Sequence, residues 1–386
     1  MKLLVLSSRF PYPLDKGDKL RLYYQLQSLS KEFEIHLICL TDEPVCDLHY
    51  STIAQYCKSL KVFYQKKSSI LLQVLVGFIK GWPVQVSYFF NGKIKKEIYK
   101  IISKEKPDHI YCQLIRATEY IKDIPIKKTI DYMDCFSENS FKRSETSNIL
   151  KKIFWKQEAQ RVKKYETSIF AFFDNHILIS QSDADFMPFQ KKPISIIANG
   201  IADIFFEPIE NSKSIDILFV GNLSYYSNID AVDFIIHQIF PELKKMGIPF
   251  RIVIAGKSPS HEMKEWIHTS GQVELLENVP QIEKIYQQAR IMVAPITKGT
   301  GLQNKVLEAL AAGCMVVCSE QVSKGLGAEF SAIRIAKNAE EYVHHILHLH
   351  GQYQSLKNER DQSQKYLQEF YSWQFQTNKL IDLIKS

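Results

Sequence analysis

The chain has 386 residues, 45% hydrophobic and 24% charged, with a formal net charge of +7. This is the composition of a globular protein, and a chain of this length calls for two hydrophobic cores rather than one. It has no run near the ~18 apolar residues of a membrane-spanning helix, and its seven scattered cysteines form neither a disulfide framework nor a zinc spacing.

The opening run Leu3–Leu6 is cut short by Ser7, Ser8 and Arg9, too early for a signal peptide. It reads as a buried strand, and the expected location is the cytoplasm. The basic excess suits nucleic acid, an anionic membrane surface or phosphorylated small molecules. Strand-like runs follow at 35–40, 60–64, 109–112, 128–131 and 176–179, with amphipathic stretches such as 19–30 and 94–105 between them. Residues 149–172 read as one long charged helix. A second series then starts: strands at 216–220, 250–255, 273–276, 291–294 and 315–318, and helices at 229–245, 262–269, 282–289 and 302–312. Such alternation predicts βαβ units on parallel sheets. Patterning stops between Ala198-Asn199-Gly200 and Lys213, which places the domain boundary there.

Chemistry concentrates in Pro295-Ile296-Thr297-Lys298-Gly299-Thr300-Gly301-Leu302-Gln303-Asn304-Lys305-Val306-Leu307-Glu308. This reads as a strand, a glycine-bearing loop and a helix. Glycines ahead of a helix let the backbone approach a phosphate, whose charge the helix N-terminus favours. Lys305 falls on the first helical turn, and Glu308 one turn later. A carboxylate there can accept two hydrogen bonds from the vicinal diol of a ribose. Plain packing also explains two glycines in a loop, but a charge within Val-Leu-Glu-Ala-Leu-Ala is hard to reconcile with packing alone.

The stretch Gly-x-Gly-x-Gln-Asn-Lys-Val-Leu-Glu-Ala-x-Ala-x-Gly resembles the donor-site helix of retaining GT-B glycosyltransferases of the bacterial polysaccharide type. Four further segments are similar to family elements in the same order: Ser7–Pro13 with Gly17, Ile179-Ser180-x-x-Asp183, Asn199-Gly200-Ile201, and Phe219-Val220-Gly221-Asn222-Leu223. The resemblance implies an α/β GT-B fold of two Rossmann-like doubly wound domains facing across a cleft. It gives an acceptor-side domain over 1–205, a donor domain over 206–368 and a helix over 369–386 that crosses back.

It further implies that Glu308 holds the donor ribose and Lys305 faces the diphosphate, with Lys298, Gly299, Thr300, Gly301, Leu302 and Asn304 around the phosphates and sugar. Gly221, Asn222 and the Val279 loop would complete the donor site. Gly17, with Asp18, Lys19 and Arg21, would close over it from the first domain. The sequence departs from the family at Thr300, where many relatives carry Glu, and at Asn222 and Ser227, where they carry a cationic pair. It also has Gln113 and Arg116 near a position that often presents His. Lys298, Lys305 and Arg9 are then the cations left for the diphosphate. Arg116 joins Lys305 and Glu308 as a catalytic candidate, and Arg9, Gln113 and Asp134 are acceptor-side candidates. Asp131 and Asp134 either bind a substrate or cap the following helix. The resemblance implies no metal or other cofactor, a nucleotide-sugar donor, and a glycan or lipid-linked acceptor of surface polysaccharide or glycolipid synthesis. The alternatives are a degenerate GT-B binding protein and a sugar-nucleotide epimerase.

His344, His345, His348 and His350 share a helical stretch and read as a solvated face, because no other ligand type lies nearby. Lys66-Lys67, the apolar residues 70–78, Trp82, Tyr88-Phe89-Phe90 and Lys93, Lys95 and Lys96 mix basic and apolar character. That composition suits peripheral docking on an anionic membrane, or a buried helix with a solvated end. No nucleic-acid motif accompanies it.

Overall fold

The computed structural model describes residues 1–386 apart from 146–147, 188–191, 208–212 and 298–301, and apart from the side chains of 67–69. The chain divides into two compact units, Met1–Asn199 with Trp373–Ser386, and Gly200–Ser372.

In the first unit the strands are β1 (Lys2–Ser7), β2 (Glu34–Thr41), β3 (Ser59–Tyr64), β4 (His109–Gln113), β5 (Lys127–Met133), β6 (Asn175–Leu178) and β7 (Ile194–Ile196). They form one sheet in the order β3-β2-β1-β4-β5-β6-β7. Every pairing is parallel. Side chains alternate across a strand, and helices cover both faces of a parallel sheet. In β1, Leu4 and Leu6 enter one core cluster, with Ile94, Ile98 and Val162 from two helices. Leu3 and Val5 enter the opposite cluster, with Leu22 and Leu26 of helix Gly17–Leu29 and Leu380 and Ile384 of helix Trp373–Lys385. The C-terminal helix is therefore part of the first unit's core. Trp373 opens it, its ring stacked on Tyr24 at 4.9 Å between centroids.

The second unit holds β8 (Ile215–Asn222), β9 (Ile252–Lys257), β10 (Val273–Glu277), β11 (Ala289–Ala294), β12 (Met315–Cys318) and β13 (Ile333–Ile335), in the order β10-β9-β8-β11-β12-β13. These pairings are also all parallel. The strand order reverses at β1/β4 in one sheet and at β8/β11 in the other, and ligands of open α/β sheets bind beyond the strand ends at such points.

Two details differ from the sequence reading. β7 and β13 have only three residues each, too few to show a periodic pattern. The helix expected at 229–245 is broken into Tyr226–Phe234 and Phe240–Lys245 by a π-turn at Ile235–Ile239. Pro241 supplies the cause: its ring lacks an N–H and crowds the carbonyl one turn back.

Candidate functional site

In the second unit the candidate residues gather at the strand ends. A Cβ on Gly221, near the end of β8, would lie 2.8 Å from the Asn228 Nδ2, and one on Gly256 of β9 would lie 2.0 Å from the Gly221 carbonyl oxygen. Neither position has room for a methyl group, so the glycines set how closely β8, β9 and helix Tyr226–Phe234 approach. The buried Asn228 then bridges two elements. Its Nδ2 donates to the Asn222 carbonyl at 2.7 Å, and its Oδ1 accepts from Lys305 Nζ at 2.5 Å. The Asn222 side-chain oxygen is engaged by Ser224, whose Oγ donates to it at 2.7 Å. Val279, half-buried, follows Asn278, which holds φ at 51° and donates its N–H to the Gly256 carbonyl at 2.9 Å.

Lys305 and Glu308 are half-buried on the first turns of helix Asn304–Ala311, three residues apart and therefore on one face. The Lys305 ammonium also lies 5.0 Å from the centre of the Phe219 ring. Burial pulls its pKa down to about 8, against the raising effect of Glu308. Burial pushes the Glu308 carboxyl up to about 7, opposed by the Tyr286 hydroxyl and the Lys305 charge. That hydroxyl is buried and makes no hydrogen bond of good geometry among the described residues. The site thus holds an acid and a base whose pKa values are drawn together around neutrality, a pattern common at functional positions. Leu302 and Asn304 lie half-buried at the helix entrance. Lys298, Gly299, Thr300 and Gly301 lie outside the described residues. A cavity of about 530 Å³, walled by Asp230, Thr297, Glu320 and Lys324, opens beyond β11, and its lining does not include Lys305 or Glu308.

Asn228 escaped the sequence reading. Its only local signal is an amide seven residues after Gly221. We expect Asn228→Leu to lower stability by about 1–3 kcal/mol, because it leaves the Lys305 ammonium and the Asn222 carbonyl without their partner. Urea unfolding checks this, and an unchanged midpoint would show that the bridge is energetically idle.

In the first unit Arg9, Asp18 and Arg116 form a cluster beyond β1 and β4. Arg9 Nη1 donates to Asp18 Oδ2 at 2.7 Å, and Arg116 Nη1 approaches the same oxygen at 3.5 Å. The Arg116 guanidinium also sits 5.6 Å from the rings of both Phe89 and Phe136. Burial, together with the Arg9 charge, lowers its pKa to about 10, while Asp18 and Asp134 raise it. Arg9 and Arg116 line a cavity of about 510 Å³ with Tyr88, Phe136, Arg143 and Trp155. Sequence reasoning did not find Arg143, whose guanidinium stacks 4.0 Å over Trp155. Asp134 follows Met133, whose φ is 64°. Its carboxyl is pushed up to about 7 by burial and by the charges of Asp183 and Asp131. Gly17 begins helix Gly17–Leu29, and a Cβ there would touch nothing.

The expectations for four residues need correcting. Arg21 does not close over a ligand, because it is fully buried. Its Nε donates to Asp131 Oδ2 at 2.7 Å, Nη1 to Asn199 Oδ1 at 2.9 Å, and Nη2 to the Ile197 carbonyl at 2.9 Å. Asp131 is equally buried, also accepts from the Tyr111 hydroxyl at 2.8 Å, and is a structural acid rather than a substrate ligand. Gln113 is 1% exposed and braces the start of helix Gly17–Leu29 at Asp18. Its Nε2 donates to the Asp18 carbonyl at 2.7 Å and its Oε1 accepts from Ser7 Oγ at 3.1 Å. Lys19 is likewise buried, paired with Asp15 at 3.0 Å.

Asp183-Ala184-Asp185 spells Asp-x-Asp, but both acids serve the local helix: Asp183 accepts from Ser180 Oγ at 2.5 Å and Asp185 from Gln181 at 2.8 Å. His350 departs from a simple solvated face, because it joins Asp216 at 3.1 Å in a cluster with Arg290.

Residues 214–352 match the family model described as Glycosyl transferases group 1. A Klebsiella pneumoniae protein described as an uncharacterized 44.6 kDa protein in the cps region is 22% identical over 396 residues, covering 96% of each chain. Among solved structures, a glycosyltransferase from Rickettsia africae superposes with a TM-score of 0.69 at 10% identity, covering 100% of this chain and 98% of that one. Anabaena HepE in complex with UDP gives a TM-score of 0.69 at 11% identity, with 100% of each chain covered.

Proposed function

Because this chain has the GT-B fold and residues 214–352 belong to the group 1 glycosyltransferases, we propose that it is a retaining hexosyltransferase using a nucleotide-diphosphate sugar. A uridine donor is the first choice, since the similar HepE structure holds UDP. The acceptor is a glycan or lipid-linked glycan of surface polysaccharide or glycolipid synthesis, a reading supported by the cps-region relative. The observation that carries the proposal is the Lys305–Glu308 pair on helix Asn304–Ala311, with Asn228 holding the ammonium.

In this reading Glu308 accepts hydrogen bonds from the ribose diol. Lys305 and the N-terminus of its helix face the diphosphate, whose charge grows as the bond from the sugar C1 to the β-phosphate oxygen breaks. The electron pair stays with that oxygen. The acceptor hydroxyl forms the new bond to C1 from the same face and passes its proton to the departing phosphate. Among the first-unit residues, Arg9, Arg116 and Asp134 are proposed to bind the acceptor. No metal or other cofactor is assigned a part in these steps. The free cysteines, Cys39 and Cys112 among them, accord with a proposed cytoplasmic site of action.

The test is thermal stabilisation by UDP and UDP-sugars across pH, followed by transfer assays on glycan acceptors. Diol binding needs the Glu308 carboxylate, so affinity is expected to fall below pH 7, where the carboxyl is protonated. Phosphate binding needs the Lys305 ammonium, so affinity also falls above pH 8, where the amine is neutral. A maximum between the two is expected. A ligand at about 100 times its Kd should stabilise the fold by roughly 2.7 kcal/mol. No response to any nucleotide diphosphate would overturn the donor site. Binding without transfer would mean a protein that holds the nucleotide without turnover.

A further inference from the structure

Helix Lys67–Ile79 of the first unit is packed with its more apolar side outward. Ile70, Gln73, Val74 and Gly77 face inward; Ile70 and Gly77 are buried, and Gln73 and Val74 half-buried. Gly77 fixes this orientation. A Cβ there would lie 1.8 Å from Ser87 Oγ, so the helix rests against Val84–Phe89 on the one side that lacks a side chain. Leu71, Leu72, Leu75, Val76, Phe78 and Ile79 point away from the protein, 43–86% exposed. Helix Ile149–Phe170 begins in the same way, with Ile149, Leu150, Ile153 and Phe154 at 43–82% exposure. The two helices touch where the Arg161 guanidinium lies 4.0 Å over the Phe78 ring. Ten large apolar side chains left in water on neighbouring elements exceed the scattered exposure normal for a surface.

The charge around them says what covers them. Residues 48–96 contain eight lysines and no Asp or Glu, and residues 148–157 add Lys151, Lys152 and Lys156, again without an acid. A second copy would bring the same lysines against themselves, which disfavours a self-dimer through this face. Leucine, isoleucine and phenylalanine rimmed by lysine instead suit a bilayer carrying anionic headgroups, where apolar side chains enter the acyl boundary and each basic residue near the surface adds attraction. No helix among the described residues is long and apolar enough to cross a membrane, so the contact is one of lying on the surface. Phe154 also lines the cavity that holds Arg9 and Arg116, so the apolar face runs up to the proposed acceptor side.

We propose that the first unit docks on an anionic lipid bilayer through the outward faces of helices Lys67–Ile79 and Ile149–Phe170. The inference does not depend on the donor site.

Co-sedimentation of the full chain with vesicles of phosphatidylcholine alone, or mixed with phosphatidylglycerol, tests it. Binding is expected to the mixed vesicles only, to weaken as salt is raised, and to fall at least tenfold in Leu72→Asp/Leu75→Asp. Lys66→Glu/Lys80→Glu should reduce binding to the mixed vesicles severalfold. Both pairs lie on the exposed side, so thermal midpoints and nucleotide-induced shifts should match the parent protein. The proposal is overturned if the parent binds neither vesicle, or binds both equally. It is also overturned if Leu72→Asp/Leu75→Asp leaves vesicle binding intact and instead converts a dimer to a monomer in sedimentation equilibrium.

Discussion

Asp131→Ala is expected to lower the stability of the first unit by about 3–5 kcal/mol, because it strands a buried guanidinium without its counter-charge. Arg21 sits at 0% exposure and draws its charge balance from Asp131. Its other contacts, to Asn199 and to the Ile197 and Ala198 carbonyls, are neutral. The loss also frees the Met133 N–H, which donates to Asp131, and leaves the Tyr111 hydroxyl with Gln25 Oε1 as its acceptor at 2.8 Å. Urea unfolding followed by tryptophan fluorescence would read it, since Trp82, Trp155 and Trp373 all belong to the first unit. The companion Arg21→Met/Asp131→Leu should recover most of the loss, because a buried pair replaced by apolar side chains is often close to neutral. A loss below about 1 kcal/mol for Asp131→Ala would mean that water reaches Arg21 and that the pair is not the buttress described.

Glu308→Ala is expected to weaken UDP binding by at least roughly 10- to 100-fold, since even one of the two hydrogen bonds from the ribose diol to a charged group contributes about 1.5–3 kcal/mol. The fold should respond in the opposite sense. In the folded protein the carboxyl titrates at about 7, above the ordinary 4.5. Its contribution to stability is therefore fully present below pH 4.5 and is lost as pH rises through 7. At pH 8 the ionised group is a liability to the fold, and its removal should leave the thermal midpoint unchanged or higher. A ribose ligand kept at a cost in stability gives this pairing of lost binding with retained stability. A buried structural acid would give lost stability with binding unchanged. Thermal melts with and without UDP, at pH 5.0 and 8.0, separate the two (roughly the lower and upper ends of the titration).

Much of the architecture is legible locally. The apolar runs of β1, β2 and β8 to β12 are short and flanked by helical periodicity, and that alternation alone specifies parallel sheets with helices on both faces. The segment from Pro295 to Gly313 likewise announces a strand, a loop and a helix bearing Lys305 and Glu308. The resemblance carried by that segment points to the same group 1 glycosyltransferases whose family model matches residues 214–352.

What a polar residue does once the chain has folded is not local. Arg21 and Asp131 are 110 positions apart, and Arg21 and Asn199 are 178 apart, so no spacing reveals that three polar groups share one buried site. Gln113 is an acceptor-side candidate because it stands near a position that often presents His in the family it resembles, yet only the tertiary structure shows the Asp18 carbonyl and Ser7 already holding it. Asn228 reaches Lys305 across 77 residues. The helix at 67–79 gives the sharpest contrast. Its sequence determined that it would be helical and apolar, but which apolar side faced water was decided by Gly77 meeting Ser87, a contact set by packing and invisible to periodicity.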